Sequence, residues 1–316
     1  MPRLKALLLS LATLSATAFG QTANQARPGT LNYIEGQASI EGRSVTADSV
    51  GNTTLEAGQY LSTANGKAEI LLTPGIFLRL GNDSTVQMIS PNLTKTEVRL
   101  EQGRANVEVD QLYQQNVIVI DMKNGQTQLL KNGLYLFDAN NSTVRVFDGK
   151  AAVYSGANFQ ADIKPIDVKS GHQLALTGEP AKAQSFNKDQ AEDELYRWSS
   201  LRSEYLGEAN VDLASEYAGA AGFYPGWYWA GGPYGYTWLP GDGLFWSPFG
   251  YGFYSPWYIY GGGFIYRGYG GRFYGGRPGG VYHGGQPVGG LRGGAVSGGF
   301  HGAGGGFHGG GGGGHR

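Results

Sequence analysis

The sequence predicts a mainly β protein, in which an all-β domain precedes one α-helix and a glycine-rich C-terminal region. Between residues 30 and 180, short apolar runs alternate with glycine or asparagine turns about every ten residues. No 3.6-residue apolar period persists there, so the pattern favours a β-sandwich, a roll or a solenoid of short strands. Glycine is concentrated at the other end, with 38 of the 55 glycines in residues 219–316.

Residues 1–20 have the three parts of a secretory signal peptide. Basic residues precede an apolar run over 6–19, which is shorter than the roughly 20 residues that a membrane-spanning helix needs. The small residues Ala18 and Gly20 fit a cleavage site. We therefore expect an exported chain that begins at Gln21, in the periplasm, at the cell surface or secreted, with no transmembrane segment after cleavage.

Residues 30–180 are expected to form the β-domain. Apolar and larger or charged side chains alternate over 76–80, and 117–120 is apolar on both faces, as in a strand buried on both sides. Asp148-Gly149 between two apolar runs predicts a hairpin, because both central residues of that turn favour positive φ. The same turn signal recurs at three other dipeptides: Asn65-Gly66, Asn124-Gly125 and Asn132-Gly133.

Several ordered motifs in this region resemble the FecR domain family. A "G-x-x-L-x-T" turn begins at Gly58, an apolar-Arg-apolar step surrounds Arg79, and a "v-x-L-x-x-G" step ends at Gly103. The later half, with Gly133 and the run 147–150, resembles the family's closing strand–turn–strand. The likeness extends over about 30–178.

The resemblance implies an extracytoplasmic all-β module without known catalytic residues. The best-known family members sit on a membrane helix and relay a signal to a cytoplasmic sigma factor. This chain differs from that plan, because we expect a cleavable signal and no spanning helix or cytoplasmic arm.

A helix is predicted over 187–217. Asn187 is a candidate N-cap with Gln190 in the capping-box position. Asp193 and Arg197 are spaced as an i,i+4 pair. One helical face collects large apolar or aromatic residues: Leu195, Trp198, Leu201, Tyr205 and Leu206.

The run 197–202 reads R-W-S-S-L-R and resembles the "R-W-S-x-x-R" helix that follows FecR domains in a group of exported bacterial proteins. A second interpretation is a helix that packs Trp198 onto the β-domain. The two interpretations are compatible.

Residues 219–280, here called the aromatic segment, interleave aromatic residues with glycine and proline. Residues 223–274 contain 22 aromatics. Burying these rings would gain about as much free energy as ordering the backbone costs. The segment could therefore fold marginally, order against the β-domain or collapse on a partner. Five tryptophans are candidates for association with the envelope, with glycan or with other copies of the chain: Trp227, Trp229, Trp238, Trp246 and Trp257.

Residues 281–316, the glycine-rich tail, hold too few large apolar side chains to offset the entropy of ordering them, which predicts disorder. Four of the five histidines lie in 281–316. A glycine-rich chain does not preorganise metal ligands, so we predict no metal site there.

Composition excludes several classes of function. There is no cysteine, which removes disulfides, thiolate metal sites and a cysteine nucleophile. Residues 21–218 hold 17 Lys and Arg against 24 Asp and Glu, an acidic balance that argues against a nucleic-acid partner. No phosphate-binding loop, dinucleotide fingerprint or G-x-S-x-G elbow is present. We therefore predict no catalytic, cofactor-binding or metal-binding residue, and no cofactor.

Three classes of function remain in view. The first is a non-catalytic exported binding or sensing module of the FecR type, with an envelope protein or glycan as its partner. The second is a structural or adhesive envelope or matrix protein, whose aromatic segment and tail self-associate or bind glycan. The third is an enzyme such as a glycan hydrolase, which requires two carboxyl groups across a cleft.

Overall fold

The structure, a computed structural model, describes residues 26–155, 164–176, 182–263 and 265. The chain divides into compact units 1–272 and 273–316, and all described residues belong to the first. The predicted signal peptide and the predicted disordered tail lie outside the described residues.

The described residues are mainly β, as predicted, with one long helix. The helices are Lys188–Ala191 (α1), Glu194–Glu216 (α2) and Pro256–Tyr260 (α3), with a 3-10 turn at Ala47–Ser49. The strands of the β-domain are Leu31–Ile40 (β1), Arg43–Val45 (β2), Tyr60–Leu71 (β3), Ile76–Leu80 (β4), Thr85–Pro91 (β5), Lys95–Gln102 (β6), Arg104–Val109 (β7), Val117–Met122 (β8), Gly125–Leu129 (β9), Gly133–Asp138 (β10), Thr143–Asp148 (β11), Lys150–Ser155 (β12), Ile166–Lys169 (β13), His172–Ala175 (β14) and Gln184–Ser185 (β15). Two further hairpins lie in the aromatic segment: Gly226–Trp229 (β16) with Tyr236–Leu239 (β17), and Leu244–Trp246 (β18) with Gly252–Tyr254 (β19).

The fifteen strands of the β-domain form one sheet, with the order β13-β12-β9-β8-β6-β5-β3-β4-β7-β10-β11-β14-β15 and with β1 and β2 paired beside β3. Every named pair is antiparallel except β6 with β8, which is parallel. β13 and β14 are consecutive in the chain yet lie near opposite ends of this order. The sheet therefore curls so that its two ends approach each other around a common apolar core.

The second half of β3, residues 66–71, and the strands β4, β7 and β10 are buried on both faces. Ile70, Leu78, Val107 and Tyr135 form one cross-strand row that points into the apolar core. The neighbouring rows point outward, and they mix apolar with charged residues. α2 and the aromatic segment cover this outer face, which is why all five residues of β4 are buried.

The turn dipeptides do not all make hairpins. Only Asn124-Gly125 does, between β8 and β9. β11 and β12 flank Asp148-Gly149 but pair with other strands, so the predicted hairpin there is wrong. Asn65-Gly66 lies inside β3, where Gly66 faces Gly36 of β1 and a Cβ on it would meet the Gln37 backbone nitrogen at 2.5 Å. That glycine thus serves a close approach of two strands rather than a turn.

The predicted helix 187–217 is two helices. Asn187 does cap a helix, since its Oδ1 accepts a hydrogen bond from Gln190 N at 3.1 Å, but α1 ends after one turn. Asp193 then caps α2 by accepting from Tyr196 N at 2.9 Å. Its carboxylate also binds Arg104 of β7 at 2.5 Å, so the partner predicted for it, Arg197, is not the one observed.

The aromatic segment orders against the β-domain over its described part, which was one of the three alternatives. Tyr236, Trp238 and Phe253 share one apolar cluster with Leu71, Phe77 and Leu206. Although the composition changes near residue 218, residues between 226 and 260 pack against the β-domain and α2.

Candidate functional site

A buried ion network lies on the outer face of the sheet, beneath α2. Its members are Glu69, Arg79, Glu108 and Arg202, each 2% exposed or less. Arg79 Nε donates to Glu69 Oε2 at 2.6 Å, and Arg79 Nη1 donates to Glu108 Oε2. From α2, Arg202 Nη2 donates to Glu69 Oε1 at 2.9 Å and Ser203 Oγ donates to Glu108 Oε1 at 2.6 Å.

Strand register places these side chains together. Glu69 pairs with Arg79 across β3 and β4, and Phe77 pairs with Glu108 across β4 and β7. Because side chains on a strand alternate between faces, these residues point away from the apolar core and toward α2. Arg79, the arginine of the apolar-Arg-apolar step, therefore links β4 to both β3 and β7. Glu69 in turn connects it to Arg202 of α2.

The network lowers the pKa of Glu69. Burial by itself raises that pKa, but the charges of Arg202 and Arg79, together with their hydrogen bonds, lower it from its ordinary 4.5 to about 2. The carboxylate of Glu69 is therefore stabilised in the folded state relative to the unfolded chain.

This shift predicts an acid-sensitive fold. The stabilisation from Glu69 is complete above pH 4.5 and is lost as the pH falls from 4.5 to about 2, with a size on the order of 3 kcal/mol. Urea unfolding between pH 2 and pH 6 measures it. Glu69→Gln is expected to flatten this acid limb, whereas Glu56→Gln, at an exposed carboxylate, leaves it in place. An acid limb as steep in Glu69→Gln as in the parent would contradict the assignment.

The R-W-S-x-x-R run lies in the part of α2 that contacts the sheet. Trp198 Nε1 donates to Glu35 Oε2 at 2.8 Å, and Asn106 Nδ2 donates to Ser199 Oγ at 3.1 Å. The Arg202 guanidinium lies 4.0 Å from the centroid of the Tyr33 ring in addition to binding Glu69. The residues of the R-W-S-x-x-R run are thus the ones that pack α2 onto the β-domain, so both interpretations of this run describe the same contact.

The buried face of α2 is more polar than the apolar pattern predicts. Leu201 and Tyr205 are exposed, while Ser199, Arg202, Ser203 and Asn210 are buried, so the predicted apolar face is wrong at those two positions. Polar residues are needed there because the sheet presents carboxylates and guanidinium groups to the helix, and a buried charge needs partners.

Two buried asparagines bind the aromatic segment through its backbone. Asn32 Oδ1 accepts from Tyr236 N at 2.6 Å, and Asn32 Nδ2 donates to Tyr236 O at 3.0 Å. Asn210 of α2 likewise accepts from Tyr254 N at 2.7 Å and donates to Trp238 O at 2.8 Å. The aromatic hairpins are therefore positioned by amide groups as well as by apolar packing.

The five candidate association tryptophans fall into separate environments. Trp238 is fully buried, and Trp227 is half-buried with its ring 5.0 Å from that of Phe77. Trp229, Trp246 and Trp257 are 37%, 52% and 50% exposed. Only the latter three present substantial ring surface to solvent.

A polar cleft of about 450 Å³ adjoins one of these rings. The cleft contains the exposed ion pair between Arg27 and Glu56. The Trp229 ring packs on Gly51. A Cβ atom at that position would lie 2.6 Å from the ring, so only glycine leaves room for it. The lining residues are Arg27, Thr30, Gly51, Asn52, Thr53, Thr54 and Glu56.

The described residues hold no evident catalytic constellation. The carboxylates of Glu69 and Glu108 are fully buried and bonded to arginines, so they face no cleft into which a substrate could enter. No group of three or more His, Asp or Glu in the described part of the chain could hold a metal ion. Among the helices described, none is both long and apolar enough to cross a membrane.

Comparison with known proteins finds a family model that matches much of the β-domain. Residues 59–152 match the model of the family described as FecR protein, which confirms the resemblance over that range. Two solved structures described as a candidate anti-sigma factor from Parabacteroides distasonis match at 13% identity, with a TM-score of 0.35, and cover 42% of this chain. The match spans 62% of the length of those chains. No curated protein matches this chain.

Proposed function

We propose that the chain is a non-catalytic exported binding or sensing module of the FecR type that acts at the cell envelope. The observation that carries the proposal is the FecR match over residues 59–152. Within that range Arg79 is buried and bonded to Glu69 and Glu108, so it is not exposed to a substrate. The signal-like residues 1–20 support export. In this proposal the rigid β-domain carries the aromatic segment, and exposed rings of that segment make the contact with an envelope protein or glycan.

Fractionation of cells that produce the full chain tests the location. The expected result is a chain in the envelope or the medium with an intact mass that lacks residues 1–20. A chain that keeps residues 1–20 and stays in the cytosol would contradict the proposal.

A second candidate function is structural or adhesive, through self-association or glycan binding by the aromatic segment. It is favoured by the exposed rings of Trp246 and Trp257 and by the polar cleft beside Trp229. A sugar ring has apolar C–H faces and hydroxyl edges, which suit an indole face beside hydroxyl, amide and charged groups. Repeated weak contacts of this kind add up through multivalency.

Serine replacement of Trp246 and Trp257 tests both candidates. We expect the double variant to cosediment about tenfold less with isolated peptidoglycan, about 1.4 kcal/mol, at unchanged unfolding free energy, because both rings are half exposed. Analytical ultracentrifugation of the same samples measures self-association.

Leu93→Ser is the matched control, since Leu93 is 52% exposed on the β-domain, outside the aromatic segment. Loss of sedimentation with peptidoglycan favours glycan binding, and loss of oligomers favours self-association. Equal behaviour of the double variant and the parent in both assays would remove these two rings from the function.

A further inference from the structure

Asp110 is a buried carboxyl group that no described residue satisfies. It follows β7 directly, is 1% exposed, and neither of its side-chain oxygens has a hydrogen-bond donor among the described residues. An ionised carboxylate in such a place would be strongly destabilised, because burying a charge is tolerated only with a partner. A neutral carboxylic acid, which carries a proton that it can donate, meets a much smaller penalty.

Its neighbour is Glu108 of β7, two positions back and therefore on the same side of the extended chain, and the Glu108 carboxyl group acts on that of Asp110 by its charge and by a side-chain hydrogen bond. Glu108 accepts hydrogen bonds from Arg79 Nη1 and from Ser203 Oγ. The buried layer then holds two guanidinium groups, Arg79 and Arg202, against two carboxylates. Its charges balance only if Asp110 is neutral.

We propose that Asp110 and Glu108 share one proton, and that this proton keeps the aromatic segment closed over the sheet. Removing the proton leaves three carboxylates against two guanidinium groups in a buried layer. Hydration of the carboxylates would offset this excess negative charge, and the side chains that cover Asp110 have to move for water to enter.

Direct packing places Trp238 in that layer. Gly75 of the β3–β4 turn accepts a hydrogen bond from Asp110 N at 2.8 Å. The Trp238 indole lies over Gly75, with ring atoms 3.3 Å from its Cβ position. The Trp238 indole nitrogen is also buried without a hydrogen-bond partner among the described residues. Gly75 thus contacts both the buried indole of Trp238 and the backbone of Asp110.

The electrostatics agree with this geometry. Burial raises the pKa of Asp110 well above its ordinary value, Glu108 raises that pKa further, and Arg79 opposes the rise. Six further charged or titratable groups lie in this layer or act on its members. Glu69 and Arg202 belong to the ion network, Glu204 and Tyr251 interact beside Glu108, and Asp242 acts on Tyr113, three positions after Asp110. Three of these six are carboxylates, so the surroundings do not favour a second negative charge.

The direction of the effect follows from the sign of the shift. A carboxyl group whose pKa is higher in the folded state than in the unfolded state stabilises the fold fully at low pH. The stabilisation is lost as the pH rises through the folded-state pKa. The segment is therefore expected to open on the alkaline side. A physiological role for this opening rests on the proposed envelope location, where the pH follows the surrounding medium. The linkage between the proton and the opening is independent of that location.

Hydrogen exchange of the full mature chain, residues 21–316, tests the proposal. Protection factors of peptides from β17 are measured between pH 5 and pH 8, after correction for the intrinsic exchange rate. In the parent, β17 protection is expected to fall as the pH rises through the folded-state pKa of Asp110, since one linked proton changes an opening equilibrium up to about tenfold per pH unit. Asp110→Asn mimics the neutral acid and is expected to hold β17 protection constant.

Asp48→Asn, at an exposed carboxylate, is the control and should keep the parental slope. A flat profile in the parent, or a parental slope in Asp110→Asn, would overturn the proposal. If Asp110→Asn does not fold, the infrared spectrum of the parent replaces it. A protonated-carboxyl band at pH 7 that disappears at the pH where β17 loses protection supports the shared proton, and its absence at pH 7 refutes it. These results do not depend on whether the chain binds an envelope component.

Discussion

Replacing Arg79 with methionine is expected to remove about 3–5 kcal/mol of unfolding free energy, because it leaves two buried carboxylates without their shared cation. Arg79 is fully buried and bonds to both Glu69 and Glu108. Methionine keeps most of the side-chain length and apolar volume, so the loss reports the charge rather than a cavity. Guanidinium chloride or urea unfolding of residues 21–316 at pH 7 measures it.

Arg99→Met is the matched control. Arg99 is 43% exposed and lies 3.4 Å from Asp121, and an ion pair whose cation is open to solvent contributes about 0–1 kcal/mol. Adding Glu108→Gln to Arg79→Met is expected to recover part of the loss, since one of the two stranded charges disappears. Equal destabilisation by Arg79→Met and Arg99→Met would mean that the buried ion network does not hold α2 on the sheet.

Replacing Trp238 with alanine is expected to destabilise the chain by about 3–5 kcal/mol, which is typical of a large side chain removed from a packed core. Trp238 has no exposed surface, and its ring lies 5.1 Å from that of Phe245 and 5.8 Å from that of Phe253. Loss of the ring leaves a cavity between the aromatic hairpins and β4. Thermal and denaturant unfolding measure the change.

Trp257→Ala is the comparison that makes this result specific to packing. Trp257 is in the same segment but is 50% exposed, so its replacement is expected to change stability by no more than about 0.5 kcal/mol. If both variants unfold like the parent, the aromatic segment contributes nothing to the core. If both variants are destabilised alike, exposed and buried rings of the segment stabilise the fold equally, and the buried position of Trp238 is not the cause.

Sequence alone was enough to predict a mainly β domain of short strands. The alternation over 76–80 is a property of adjacent residues, and the structure buries Ile76, Leu78 and Leu80 in the core as that alternation implies. The ordered FecR motifs are also local, and the family match over 59–152 confirms them. The helix was predictable for the same reason, although the sequence did not show that it breaks before Asp193 or that Asp193 pairs with Arg104 of β7.

The turn signals illustrate where local information ends. Asp148-Gly149 carries the residues of a hairpin turn, yet β11 and β12 pair with strands on opposite halves of the sheet. Positive φ at Gly149 is compatible with either outcome. Which strand pairs with which depends on contacts between residues far apart in the chain, and a dipeptide does not encode them.

The amino-acid pattern predicted a mainly β domain with motifs similar to those of FecR domains, followed by a helix and by aromatic residues that could be buried or exposed. The three-dimensional packing shows that part of the aromatic segment belongs to the core, through contacts such as that of Asn32 with Tyr236, 204 residues away. It also decided that Arg79, Glu108 and Asp110 lie in one buried layer. The physical reason is that composition measures how much surface a segment could bury, whereas the partner that buries it, and the charge that a buried group then carries, depend on what covers it.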